Sequence, residues 1–170
     1  MDTFLNDNKT EKRGVNKIML AAILTAVVVV AGVVWLMTFT PTREEQKQEL
    51  MAGAFYPGAP EFDNYTNNII VTTNTERTSQ SKIAIGTIQM AIHGMIRNKG
   101  TRVINLLELN VGVVDTKNQV IKEKRTLVVP NQSLTLNPNE TISVFVPLDG
   151  FKESDDRANV RWKVTAIRFQ

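Results

Sequence analysis

Residues 88–114, IQMAIHGMIRNKGTRVINLLELNVGVV, hold two strand-like patterns with a turn between them. At positions 88–96 every second residue is apolar or glycine. The opposite face carries polar side chains: Gln89, His93 and Arg97. A period of two is typical of a half-buried β-strand. Residues 103–113 alternate in the same way, but additional apolar residues on their outer face indicate a strand that is covered on both sides.

The same period recurs in the rest of the C-terminal region. Alternating segments occupy residues 142–148 and 160–166, and less regular ones occupy residues 68–73 and 120–129. After Ala166 the apolar positions shift by one to Ile167 and Phe169, which predicts a β-bulge near the C-terminus. About six or seven strands in roughly 105 residues predict an antiparallel, immunoglobulin-like β-sandwich over residues 65–170. We expect one core, with Trp162 as its largest contributor.

An apolar run between Ile18 and Phe39 carries no charged side chain. As a helix it would be about 33 Å long, enough to cross a hydrocarbon core of about 30 Å. A secretory signal peptide is the alternative, but its apolar region normally runs about 7 to 15 residues and ends at a cleavage site of small residues. This run is longer and leads into Trp35 and Leu36. We therefore expect an uncleaved transmembrane helix, residues 18–39, in contact with the lipid bilayer.

Lysine and arginine are unequally distributed around this helix. The tail, residues 1–17, carries four of them: Lys9, Lys12, Arg13 and Lys17. The stretch of equal length that follows the helix carries only Arg43 and Lys47. Positive residues favour the cytoplasmic side of a membrane. The chain is thus predicted to be a single-pass protein of the bacterial inner (cytoplasmic) membrane, with a cytoplasmic tail and a C-terminal domain in the periplasm, or outside a cell that has one membrane.

Residues 40–64 are predicted to hold a juxtamembrane helix and a linker. Thr42 and Glu45 have the spacing of a capping box, and Gly53 is placed to end a helix of about ten residues. The following stretch AFYPGAPEF, residues 54–62, contains two prolines and a glycine. These residues disfavour both a helix and a central strand, so this stretch is interpreted as the linker into the folded domain.

Short motifs in the C-terminal region resemble a known family. Residues 94–100 read GMIRNKG, the strand after them ends in the turn DTKN at residues 115–118, and residues 136–140 read LNPNE. This arrangement resembles the pattern G-x-I/V-x-N-x-G, hydrophobic strand, D-x-x-G, L-x-P-G-E of FxLYD-type immunoglobulin-like domains in bacterial envelope proteins of unknown function. Such domains often follow one N-terminal anchor. The resemblance covers residues 69–169 and implies an architecture and a location, without catalytic residues.

The chain departs from that pattern at two turns and at Val113 and Val114, which replace an aromatic pair before the turn aspartate. Asn118 and Asn139 stand where turn glycines are expected. Asparagine is the residue after glycine that best tolerates a positive φ. We therefore expect both turns to form.

Composition excludes several kinds of site. There is no cysteine, which excludes disulfides, thiolate metal sites and lipoprotein acylation. The net charge of +3 is spread along the chain without the clustered basic and aromatic residues of a nucleic-acid groove. His93 is the only histidine and is interpreted as an exposed strand residue. Because phosphate-loop, dinucleotide and zinc signatures are missing, no cofactor and no catalytic residue is assigned.

Two charged clusters have alternative interpretations. Four acidic residues could bind a hard cation such as Ca²⁺: Asp149, Glu153, Asp155 and Asp156. Their spacing differs from that of an EF-hand and basic residues lie among them, so a solvated loop is preferred. The run KEKR at residues 122–125 is interpreted as a solvated face or a protected strand edge, with a partner surface as the alternative.

The hypothesis for function combines the anchor with the predicted β domain and the lack of convergent catalytic groups. It is a non-enzymatic, membrane-anchored binding or scaffolding protein of the cell envelope, an accessory subunit of a larger complex with a protein partner and no nucleic acid. One alternative is a sandwich that binds a lipid or another small ligand. Less favoured are an enzyme that depends on His93 or the acidic cluster, and a calcium-binding module.

Overall fold

The computed structural model describes residues 17–39, 43–83 and 86–170. The chain divides into two compact units, Met1–Leu50 and Met51–Gln170. The first unit holds helices α1 (Lys17–Phe39) and α2 (Arg43–Leu50). The expected capping residue Thr42 lies outside the described residues.

Helix α1 is apolar along its length. Among the described residues it is the one helix long and apolar enough to cross a membrane, and none of the residues in its span Lys17–Thr38 is buried. Its two threonines satisfy their hydroxyls internally: Thr25 Oγ1 donates to the Ala21 carbonyl at 3.0 Å, and Thr38 Oγ1 donates to the Val34 carbonyl at 2.8 Å. Such bonding is what a helix surrounded by hydrocarbon requires, because lipid offers no partner to a polar group.

The described residues of the second unit are mainly β, as predicted, and form seven antiparallel strands in two sheets. The strands are β1 (Ile69–Thr73), β2 (Ser79–Lys82), β3 (Ile88–Asn98), β4 (Ile104–Val114), β5 (Val120–Val129), β6 (Thr141–Phe151) and β7 (Asn159–Phe169). One sheet, called sheet I here, contains β1, β2, β3 and β6, and the other, sheet II, has the order β5-β4-β7. The short helix α3 (Pro60–Thr66) precedes β1.

Strands β3 and β4 are the centres of the two sheets. One edge of β3 pairs with β6, and its other edge pairs first with β2 and then with β1. Strand β4 pairs with β5 on one side and β7 on the other. The chain crosses between the sheets after β3, after β5 and after β6, so neighbours in space are often distant in sequence.

One hydrophobic core takes side chains from both sheets. Sheet I contributes the inward-facing residues of β3 and β6, such as Ile92 and Val144, and sheet II contributes those of β4, such as Leu109 and Val111. The outer-facing Leu106 and Val114 of β4 are buried as well, which confirms that this strand is covered on both sides.

The predicted bulge and turns are present. Leu109 pairs with Val164 and Glu108 with Ala166, so Thr165 is the additional residue that shifts the apolar positions in β7. Asn118 and Asn139 have φ angles of 66° and 60°. Asparagine therefore takes the left-handed conformation that the resemblance assigns to glycine.

Residues 54–62, expected to form the linker into the domain, are packed with their neighbours onto the strands of the second unit. Phe55 exchanges two backbone hydrogen bonds with Ile167, at 2.7 and 3.0 Å. Phe62 of α3 is buried in the core, and Met51 and Ala54 pack against a small apolar cluster on sheet II: Leu106, Leu127 and Ala166. The compact unit therefore begins at Met51, and the proline-rich stretch is part of it.

Trp162 differs from its predicted role at the centre of the core. The indole is only partly buried, and the largest fully buried side chain is Phe151. Trp162 extends from sheet II across to sheet I, where its Nε1 donates to Thr73 Oγ1 at 2.8 Å and its ring covers Gly94. The indole thus closes the edge of the core between β7 and β1.

Replacing Gly94 with alanine is expected to lower the free energy of unfolding by about 1–3 kcal/mol, because the new methyl group overpacks this contact. A Cβ at this position would lie 2.8 Å from Trp162 Cζ2 and 3.1 Å from the Thr72 carbonyl oxygen. Urea unfolding of the full chain in a mild detergent measures the change.

Gly112→Ala is the matched control for this substitution. Its Cβ would meet nothing closer than Glu123 Cβ at 3.7 Å, so we expect a change of about 0.5 kcal/mol or less, in the stabilising direction. Equal urea midpoints for the two variants would contradict the role given to Gly94.

Candidate functional site

The four acidic residues considered for a cation site are engaged separately in the structure. Asp149 accepts a hydrogen bond from Gln89, and Glu153 forms an ion pair of 2.7 Å with Lys82. Asp155 accepts from the Lys152 N–H at 2.7 Å, which closes its own loop. No group of three or more metal-ligating side chains occurs among the described residues. These carboxylates therefore bond to different partners and do not converge on one point among the described residues.

Asp156 makes the most specific of these contacts. Its Oδ2 accepts hydrogen bonds from the Thr116 N–H at 2.9 Å and from the Thr116 hydroxyl at 2.7 Å. The backbone bond, followed by the hydroxyl bond, holds the pKa of Asp156 below its ordinary value. The pKa of Glu153 is likewise lowered, first by its hydrogen bond to Lys82 and then by the charge of that lysine. Asp156 links the turn after β4 to the loop before β7.

The contact of Asp156 is expected to lose its stabilising effect in acid. Because the pKa is lower in the folded state than in the unfolded chain, the contribution is complete above the ordinary value of 3.8 and is lost as the pH falls through the folded value. Asp156→Asn should therefore lower the melting temperature by a constant amount above about pH 5, and the difference should shrink below that ordinary pKa. Thermal unfolding from pH 7 to pH 2 measures it, and a difference that grows in acid would contradict the assignment.

His93 lies on the outer face of sheet I and is half-buried. Its ring contacts that of Phe145 on β6, with centroids 4.9 Å apart. No acidic side chain or nucleophile is hydrogen-bonded to this imidazole among the described residues. The contact is one of cross-strand packing, in which Phe145 and the neighbouring Met95 are about 44% and 43% exposed.

A shallow groove of about 310 Å³ lies between β5 and β6. It is lined by the following residues: Lys122, Glu123, Lys124, Pro147, Leu148 and Asp149. Lys124 Nζ donates to the Pro147 carbonyl at 3.1 Å across the groove. Charged side chains line most of it, which is unlike the apolar lining of a typical lipid or small-molecule pocket.

A buried polar network that was not recognised in the sequence centres on Asn98. Asn98 is fully buried, and its Nδ2 donates to the carbonyls of Arg102 at 2.9 Å and Leu136 at 3.2 Å. Its Oδ1 accepts from the Gly100 N–H at 2.9 Å and lies 3.1 Å from the Tyr65 hydroxyl. That hydroxyl accepts from the Arg102 N–H at 2.9 Å. Asn98 therefore joins β3, helix α3 and the segment before β6.

The motif that carries the family resemblance is explained by these contacts. Gly94 lies under Trp162, Asn98 organises the buried network, and a Cβ on Gly100 would overlap the Tyr65 hydroxyl. In the sequence, the only indication of this network was the spacing of asparagine and glycine in residues 94–100. These contacts of the motif residues stabilise the fold.

No protein-family model matches the chain, and a search of curated proteins gave no match. Solved structures that are distantly similar to the chain include two structural genomics targets. The X-ray structure of the structural genomics target SoR45 has a TM-score of 0.39 and 15% identity over 61% of this chain and 86% of that chain. The crystal structure of a Bordetella pertussis protein designated ApaA, Northeast Structural Genomics target BeR40, has a TM-score of 0.30 and 16% identity. The match covers 59% of this chain and 87% of that chain. At these levels neither likeness indicates a function.

Proposed function

We propose that this chain is a single-pass protein of the bacterial cell envelope whose β domain is a non-enzymatic binding or scaffolding module held beside the membrane. The observation that carries the proposal is helix α1: an apolar helix with no buried residue in its span and with its threonine hydroxyls bonded internally. A helix of this kind is unfavourable in water and stable in lipid. The excess of positive residues in the tail supports a cytoplasmic N-terminus and a periplasmic domain.

The immunoglobulin-like character of the domain is part of the same proposal. In immunoglobulin domains strand B lies between A and E in one sheet, and strand C lies between C′ and F in the other. Here β3 lies between β1 and β6, and β4 lies between β5 and β7. Strand order thus supports an FxLYD-type or related domain, together with the motif at residues 94–100.

A binding role is supported by the contacts of the candidate catalytic and metal-binding side chains and by the exposed surfaces of the domain. The carboxylates of the acidic cluster are engaged in separate contacts, and His93 packs against Phe145. The domain offers exposed strand edges and sheet faces, which are the surfaces that protein partners use. An accessory role in a larger membrane complex follows, with a protein as the partner.

Fractionation of bacteria that express the full chain tests the anchor and its orientation. We expect the protein to resist extraction with alkaline carbonate at its full length, and a C-terminal alkaline phosphatase fusion to be active because the enzyme folds only outside the cytoplasm. The same fusion without residues 1–39 is the control and should be inactive. A shorter, soluble periplasmic product would instead identify residues 18–39 as a cleaved signal peptide.

Cross-linking in intact cells followed by purification in mild detergent tests the binding role. We expect one partner at a fixed ratio to the chain. Recovery of a lone monomer under several detergent and cross-linking conditions would contradict the role in a complex.

A further inference from the structure

Among the described residues, no strand pairs with one of the two edges of β7. Its other edge pairs with β4 from Asn159 to Phe169. Along the open edge, among the described residues, only Ile167 exchanges backbone hydrogen bonds with another segment, through Phe55. Residues 159–165 of β7 therefore form an edge of sheet II that can accept a further strand. In the immunoglobulin arrangement this is the side of strand F where strand G lies.

Two observed bonds indicate which backbone groups face this edge. The Val160 N–H is bonded at 2.9 Å to the side chain of Asn159, and Ile167 bonds outward to Phe55. The N–H and C=O groups of successive residues point to alternate sides of a strand. Because the bulge at Thr165 adds one residue, Val160 and Ile167 direct these groups to the same edge although one position is even and the other odd. Trp162 and Val164 must then also direct their N–H and C=O groups outward. The open edge thus presents a regular ladder of donors and acceptors.

The hydrophobic core is incomplete beside the same edge. Val160, Trp162 and Val164 point inward and are only partly buried. Their partners on β4 are fully buried: Val113, Val111 and Leu109. An added strand with apolar residues on its inner face would bury more of this surface, in particular the indole of Trp162.

The opposite edge of sheet II, formed by β5, is different. Two of its residues on the core-facing side are lysines, Lys122 and Lys124, which pair with Val113 and Val111 of β4. Inward-pointing charges protect a strand edge against pairing. This agrees with the protected edge predicted for residues 122–125 and leaves β7 as the open edge of the sheet.

Charge on the outer face of β7 selects the kind of strand that fits. Arg161 and Lys163 are exposed there, and Lys163 makes no side-chain hydrogen bond or ion pair with any described residue. In an antiparallel pair of two copies centred on Trp162, Arg161 of each copy would lie opposite Lys163 of the other. Like charges directly opposite are destabilising, so a second copy is disfavoured and an acidic strand is favoured.

We propose that residues 159–165 of β7 bind an extended segment of a partner protein as an added strand, in which apolar residues that face the core alternate with acidic residues beside Arg161 and Lys163. This inference deepens the proposed binding function and rests on it. Backbone hydrogen bonds supply affinity in such strand addition, and the alternate side chains supply specificity.

The test uses the full chain in mild detergent and two synthetic nine-residue peptides, one alternating valine with glutamate and the other alternating valine with lysine. Trp35→Phe leaves Trp162 as the only tryptophan of the two in the chain, so its fluorescence reports binding at β7. We expect a saturable change with the acidic peptide and slower hydrogen exchange at residues 160–164. The basic peptide should bind at least about tenfold more weakly, a difference of about 1.4 kcal/mol.

Two variants examine the edge directly. Lys163→Glu should weaken binding of the acidic peptide by about tenfold or more. Lys99→Glu makes the same charge change on the turn between β3 and β4, at the opposite end of β4 from the residues that pair with 159–164, and should leave binding unchanged. Val164→Pro should abolish binding of the acidic peptide while the domain stays folded, because the N–H that it removes faces outward and is not bonded to β4. If Val164→Pro fails to fold, the comparison of Lys163→Glu with Lys99→Glu still tests whether the acidic peptide binds at β7.

Three outcomes would overturn the inference: equal binding of both peptides, exchange protection outside β7 only, or association of the chain with itself through β7. A partner cross-linked in cells at another surface would also overturn it and would leave the proposed binding function intact. A cleaved, soluble product in the fractionation experiment would instead contradict the proposed membrane anchoring. It would not change the interpretation of peptide binding at β7.

Discussion

Asn98→Ala is expected to lower the free energy of unfolding of the second unit by about 3 kcal/mol. The substitution leaves the buried Gly100 N–H without its acceptor and removes both donors to the carbonyls of Arg102 and Leu136. A buried donor without a partner costs about 1–3 kcal/mol, and the cavity left by the side chain adds to that cost. The Leu136 carbonyl keeps a second partner, the Ile104 N–H at 3.0 Å, which limits the loss.

Urea unfolding of the full chain in detergent, followed by tryptophan fluorescence, measures this loss. Asn67→Ala is the matched control, because Asn67 is exposed at the end of α3 and no described residue is hydrogen-bonded to its side chain. We expect the control to change stability by about 0.5 kcal/mol or less. Similar urea midpoints for both variants would contradict the network.

Placing arginine at both Val27 and Val30 is expected to prevent membrane insertion of α1. Each arginine near the centre of a spanning helix costs about 2.5–3.5 kcal/mol of apparent insertion free energy, so the pair costs about 6 kcal/mol. Both positions lie near the middle of the span Lys17–Thr38. Most of the protein should then move from the carbonate-resistant membrane fraction to the soluble or aggregated fraction.

The control for this experiment is the pair Val27→Leu and Val30→Leu, which keeps the helix apolar and should keep the protein in the membrane fraction. Quantitative immunoblotting of the fractions measures both variants. Unchanged membrane retention of the double arginine variant would show that residues 18–39 do not hold the chain in the bilayer.

Most of the β-structure could be predicted because its strands have one buried face. The segments around Ile92, Leu109, Val144 and Trp162 all alternate with a period of two, and each lies in a strand. A β-bulge near the C-terminus was also predicted, because a bulge moves apolar residues to the other parity and this shift is visible in the sequence; the structure places it at Thr165. Strand β2, Ser79–Lys82, was missed because all of its residues are polar and exposed, so no alternation marks it.

The packing of residues 51–66 could not be predicted from local pattern. Prolines and a glycine at positions 57–60 disfavour regular structure in isolation. In the fold, Phe55 pairs with Ile167, which lies more than a hundred positions later in the chain. The core also accepts Phe62, which no periodic pattern identified.

The residues of the candidate site were likewise only partly predictable from local sequence. The acidic cluster was recognised as four carboxylates close in sequence, yet they bond to partners in different elements, such as Lys82 of β2 and Thr116 of the turn after β4. The buried Asn98 and the open edge of β7 were not recognised. Both depend on which segments, far apart in the chain, lie next to one another in the fold.

By itself the sequence determined the apolar helix, the positions of most strands and the turns at Asn118 and Asn139. These depend on the chemistry of neighbouring residues: hydrophobic length, alternation of side chains and tolerance of a positive φ. The tertiary structure alone decided which strands pair, that Trp162 closes an edge of the core, and that Asn98 and Tyr65 meet across 33 positions. It also decided that β7 is left with an open edge, because strand pairing is a property of the folded sheet, and a strand's own sequence does not reveal whether a neighbour lies beside it.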